Sequence, residues 1–95
     1  MPHFAVAEFA EDCGERSGGM LIRLLGEKEK DFIASAEGVD LRRGGAVCTV
    51  KPSDRGRKLR LVAEANTVEA ARELGAEVLE RIREVKKELD NTPYG

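Results

Sequence analysis

Six apolar residues, Ala71, Leu74, Val78, Ile82, Val85 and Leu89, recur at steps of three and four near the end of the chain. That spacing puts them on one stripe of an α-helix predicted over residues 67–90. The other side is charged, with Glu69–Arg72, Glu77–Arg81 and Glu84–Lys87 at helix-pair spacing. Such pairs contribute only about 0.2–0.5 kcal/mol each and mark a solvated face. A helix that is apolar on one side must lay that side on something, so the chain needs a second layer. Asn66 or Thr67 can cap the first turn, and Glu69 stands three residues after Asn66 as in a capping box. At about 36 Å the helix would outrun a short strand, so its last turns are expected to project beyond the sheet.

The second layer is written just upstream. Leu59, Leu61, Ala63 and Ala65 alternate with Arg60, Val62 and Glu64, the period of two of a half-buried strand. A first strand is expected over residues 4–9, broken by Glu11, Asp12 and Gly14. Val39 and Leu41 alternate with Asp40 and Arg42, Arg43-Gly44-Gly45 supplies a hairpin turn, and residues 46–50 return. Phe32 and Ile33 either start another strand or anchor a loop leading to it. Between the first strands, Ser17 is placed to cap a helix with Met20, Leu21, Leu24 and Leu25 on one face. Gly18 and Gly19 weaken its first turn by about 1 kcal/mol each relative to Ala. Gly26 either ends it as a left-handed cap or lets it run to about Lys30. The order β-α-β-β-β-α predicts one two-layer α+β domain over residues 1–95, with a mainly antiparallel sheet and both helices on one face.

Composition narrows the function classes. With 41% hydrophobic and 36% charged residues, the chain reads as a soluble globular protein. Its net charge of −2 argues against a general nucleic-acid or membrane-surface binder. No apolar run approaches the roughly 20 residues of a membrane span. The start, MPHFAVAEFAED, lacks the basic opening of a signal peptide and carries Glu8 early, so a cytoplasmic protein is expected. Cys13 and Cys48 form no CxxC and have only His3 as a companion, which points to reduced thiols, no zinc site and a solvated terminal histidine. Asn91, Pro93 and Gly95 end the chain as a tail.

Against that acidic background, residues 51–60 carry Lys51, Arg55, Arg57, Lys58 and Arg60 opposed only by Asp54, a local charge of +4. Pro52 has no backbone N–H and Gly56 tolerates positive φ, so the chain is expected to turn between them. A loop of this kind can aim amides and cationic side chains at one anion, or it can simply keep the protein soluble. No nucleophile, acid–base pair or metal cluster accompanies it: Ser53 has no histidine nearby in sequence, and Glu11–Asp12 lie between elements. Gly18–Gly19 lacks the spacing of a nucleotide-binding turn and reads as a loose connection.

The stretch KPSDRGRKLRLVAEA resembles the C-terminal domain of the phosphohexomutases, the phosphoglucomutase, phosphomannomutase and phosphoglucosamine mutase superfamily of isomerases. In that family a loop reading roughly R-P-S-G/N-T-E-P precedes K-L-R-I-Y-V-E-A and a long acidic helix. Pro52, Ser53, Lys58, Leu59, Arg60, Leu61, Glu64 and Ala65 stand in matching positions, and EGVDLRRGGAVCTVK upstream is similar to the family's preceding hairpin. The likeness spans about residues 37–86. Within the loop, Lys51 replaces Arg, Asp54 replaces Gly or Asn, Arg55 replaces Thr, Gly56 replaces Glu and Arg57 replaces Pro.

The resemblance implies a TATA-binding-protein-like fold and a site for a phosphorylated sugar or another small anion. By position that role falls on Lys51, Ser53, Asp54 and Arg55, with Arg57 and Lys58 completing the cationic segment. Family members perform phosphoryl transfer with a phosphoserine and magnesium held in other domains. No cofactor is therefore expected in this chain, and no catalysis by it alone. Partners would be a sugar phosphate or small anion and, in an assembly, other mutase domains. The alternative is a protein–protein interaction module using its sheet edge or long helix. RNA binding is weaker still, because the strands offer no pair of aromatic stacking residues.

Overall fold

The computed structural model describes residues 5–14 and 17–90; His3, Phe4 and the tail beyond 90 lie outside them. Five strands and two α-helices follow in the order β1 (Ala5–Asp12), α1 (Gly18–Lys28), β2 (Phe32–Ala34), β3 (Val39–Arg43), β4 (Ala46–Ser53), β5 (Lys58–Ala65) and α2 (Val68–Asp90). The strands form one sheet in the order β1-β5-β4-β3-β2, with every neighbouring pair antiparallel. The two-layer α+β architecture expected from the sequence is present, with a fifth strand. Phe32–Ala34 pairs with β3, placing Phe32 opposite Leu41. Of the two alternatives for Phe32 and Ile33 the strand is the one observed; three residues are too few to show a period that would have decided it.

Register lines the apolar residues of each strand on one face. Ala7, Ala63, Cys48 and Leu41 follow one another across the sheet, as do Phe9, Leu61, Val50 and Val39. Both helices cover that face. Leu21, Ile22 and Leu25 of α1 join Ala71, Leu74, Val78, Ile82 and Val85 of α2 in one buried cluster with the strand residues. Gly75 allows α2 to come down onto β1, since a Cβ there would overlap the Phe9 ring. The last turns of α2 pack with α1: Leu89 and Leu24 lie on the core and Lys28 pairs with Glu88.

Local details refine the expectations. Ser17 caps α1, its Oγ accepting from the Met20 N–H at 3.1 Å, and the helix runs past Gly26 to Lys28. Thr67 caps α2, its Oγ1 accepting from the Ala70 N–H at 3.1 Å, so Glu69 does not close a capping box on Asn66. Glu77–Arg81 forms at 3.1 Å, whereas no ion pair joins Glu69 to Arg72 or Glu84 to Lys87 among the described residues. Strand β1 continues through Glu11 and Asp12 instead of breaking there. Glu11 points under α2, where Lys86 reaches it at 2.9 Å and Arg83 at 3.2 Å. Burial works against its ionisation, but these two cations outweigh that and hold its carboxyl below the usual glutamate range.

The candidate anion site at the β4–β5 hairpin

The cationic segment is a hairpin, not an open loop. Lys51, Pro52 and Ser53 belong to β4 and Lys58 to β5, in register Lys51 opposite Arg60, Pro52 opposite Leu59 and Ser53 opposite Lys58. The turn is confined to residues 54–57, where a short 3-10 turn (Asp54–Gly56) closes with the Arg57 N–H donating to the Asp54 carbonyl at 3.1 Å. Pro52 is therefore inside a ladder, and the chain turns between it and Gly56 as expected, at Asp54–Gly56. The Cys13 N–H donates to the Arg57 carbonyl at 2.8 Å, which fixes which residues of each strand face which neighbour. By that alternation the backbone of Pro52 faces the β3 side, where pairing has already ended at Val50. Its missing N–H costs no ladder bond.

The tip has an unusual backbone. Asp54, Arg55 and Gly56 take φ of 49, 57 and 83°, three left-handed residues in succession. Glycine adopts this region freely and Asp with modest cost, but Arg55 is held there at roughly 1–2 kcal/mol. The turn projects Arg55, Arg57 and Lys58 into solvent, and none has an ion-pair partner among the described residues. Asp54 is exposed beside them. Ser53 and Lys58 face each other on the side of the sheet that no helix covers.

Not every predicted residue belongs to this tip. Lys51 sits two residues back on the open face, where Glu37 takes its Nζ at 3.5 Å. Arg60, its cross-strand neighbour, is engaged by Glu8 through Nε at 3.0 Å. What the sequence reading missed is the neighbour of the tip. A Cβ at Gly18 would stand 3.2 Å from Pro52 Cβ and 3.3 Å from the Gly56 carbonyl oxygen, so the N-terminus of α1 abuts the hairpin. Gly18 was the available signal, a glycine at the close approach, whereas a Cβ at Gly19 would meet nothing. The positive end of α1 adds to the field of the three cations.

Other chemistry-bearing residues are structural. Cys13 and Cys48 are buried free thiols. Burial, helped by the charge of Asp40, pushes the Cys48 thiol up to about 12, so it stays protonated and unreactive. Burial also raises Cys13. Among the described residues no group of three or more His, Cys, Asp or Glu is arranged to hold a metal ion. No described helix is long and apolar enough to cross a membrane.

No family model matches the sequence, and no curated protein matches it either.

Proposed function

We propose that this chain is an anion-binding domain related to the C-terminal domain of the phosphohexomutases, taking the phosphate of a phosphorylated sugar at the β4–β5 hairpin tip. The observation that carries the reading is the trio Arg55, Arg57 and Lys58, displayed by a left-handed turn with no carboxylate partner among the described residues. Ser53 supplies a hydroxyl donor opposite Lys58, and the N-terminus of α1 stands behind the turn. Arginine forks suit phosphate oxygens, and donors held by a rigid hairpin lose little freedom on binding. Lys51 then serves as an outlying charge, its Glu37 pair exchanging for an anion at added cost.

In this reading the domain grips and closes over a substrate while other domains supply phosphoryl transfer. No residue group described above performs that chemistry alone. A TATA-binding-protein-like arrangement is part of the proposal, supported by the antiparallel sheet with both helices on one face.

The test is a titration of the isotope-labelled protein with inorganic phosphate and with glucose 1-phosphate. Amide resonances between 53 and 58, together with those of Gly18 and Gly19, should move with millimolar affinity, about −4 kcal/mol, since one domain grips the ligand alone. Asp54→Asn should tighten binding by removing a like charge at the tip, and added salt should weaken it. A titration in which these amides stay still, while the protein remains folded, removes the proposal and leaves a solvated turn.

A further inference from the structure

We infer that β1 is a dimerisation edge, pairing antiparallel with the β1 of a second copy of this chain to make a continuous ten-stranded sheet. Strand β1 pairs only with β5. The Cys13–Arg57 bond places the odd-numbered residues of β1 in hydrogen-bonded pairs with β5. The N–H and C=O groups of Val6, Glu8 and Ala10 consequently point to the free edge, without partners among the described residues. Asp12 is different, because its carbonyl already accepts from Lys86. Edge strands are commonly protected by charged side chains, proline or a bulge; β1 has no proline or bulge, and its Glu8 and Glu11 carboxylates are already engaged by Arg60, Arg83 and Lys86.

The edge is flanked by apolar surface as well. Val6 and Val68, 53% and 46% exposed, stand with Ala7, Phe9, Ala76 and Arg72 around a groove of about 440 Å³ between β1 and α2. Two of the four large exposed hydrophobics among the described residues thus lie along one edge.

The second copy is favoured over other occupants by charge and by spacing. A two-fold axis at Phe9 sets Glu8 opposite Ala10 and Val6 opposite Asp12 of the second copy, using every open backbone group without opposing two carboxylates. An axis at Glu8 would face two carboxylates instead. Gly75 lies over Phe9 and Ala76 lines the groove beside it, so the same axis passes α2 near Ala76. Counting outward from there brings Arg72 to Glu80 of the second copy, and Glu80 to its Arg72. Both residues are exposed and without an ion pair among the described residues. Helix α2 packs over β1 and β5 and reaches β4. With the paired β1 strands about 4.8 Å apart, the two α2 helices lie on the same face on either side of the axis, close enough for long side chains such as Arg72 and Glu80 to meet.

Sedimentation of the full chain from about 10 μM to about 1 mM should show a reversible monomer–dimer equilibrium. Over that range amide exchange at Val6, Glu8 and Ala10 should slow with concentration. Arg72→Glu should weaken the dimer at least about tenfold with an unchanged monomer melting temperature, and adding Glu80→Arg should restore it. Ala10→Pro should weaken it too, by removing an outward N–H that β5 does not use. A chain monomeric at about 1 mM, or a dimer indifferent to both Arg72→Glu and Ala10→Pro, overturns the inference. So does a charge-swapped pair that fails to recover.

Discussion

The two faces of this sheet are made from the same strands and do opposite things. On the covered face, Leu59, Leu61, Ala63 and Ala65 alternate into a core closed by both helices. On the open face the intervening residues, with their neighbours on β4 and β1, carry Lys58, Arg60, Lys51, Ser53 and Glu8 to solvent. Fold stability lies on the first and the candidate chemistry at the hairpin end of the second. Substitutions on the two faces should therefore separate cleanly, one moving stability and the other binding.

The largest expected effect is on the covered face. Ile82, 2% exposed, sits mid-stripe, and Ile82→Asp would bury a charge without a partner. A loss of several kcal/mol, about 3–5, should show as a large drop in melting temperature or an unfolded chain. By contrast Arg60→Gln, on the open face, should shift stability by less than about 1 kcal/mol, because its pair with Glu8 is exposed. Equal losses from both would contradict the division.

A smaller effect tests how closely the layers meet. Gly75→Ala places a methyl against the Phe9 ring and should cost roughly 1–3 kcal/mol by urea unfolding, although alanine is the better helix former. A more stable variant would mean that α2 stands further from β1 than described.

Next in size is the rim of the covered face. Because Lys86 and Arg83 lower the Glu11 pKa in the fold, Glu11 contributes stability above its unfolded value near 4.5. That contribution is lost as the pH falls through the lower folded value. Glu11→Gln should cost about 1 kcal/mol at neutral pH, with the difference from wild type closing in acid. Melts at neutral and strongly acidic pH check this, and a gap that persists in acid would contradict it.

Alternation and the α2 stripe were legible because each is a local period that the core then uses. Four features were not. The continuation of β1 through Glu11 and Asp12 depends on Lys86 and Arg83, more than seventy residues away. The passage of β4 through Pro52 depends on β3 ending opposite Val50, which no local window contains. The site was legible as a charge run but not as a shape. Lys51 and Lys58 look equivalent in sequence, yet Glu37 engages one and leaves the other exposed at the tip. The approach of α1 to the hairpin is a tertiary contact, hinted at only by the glycine at 18.

The two hairpin turns bring the comparison to its sharpest point. Between β3 and β4 the chain turns with Gly44 at φ 60°, a residue free to adopt it. Between β4 and β5 it uses Arg55 at φ 57°, where glycine would be cheaper by roughly 1–2 kcal/mol. A charged residue held in that conformation is understandable if its side chain is needed at the tip. The most direct measurement is the inorganic phosphate affinity of Arg55→Gly beside wild type, read from the amides of residues 53–58. The account predicts weaker binding, by about threefold or more, in a protein at least as stable as the parent. Unchanged affinity in a folded Arg55→Gly variant would contradict it.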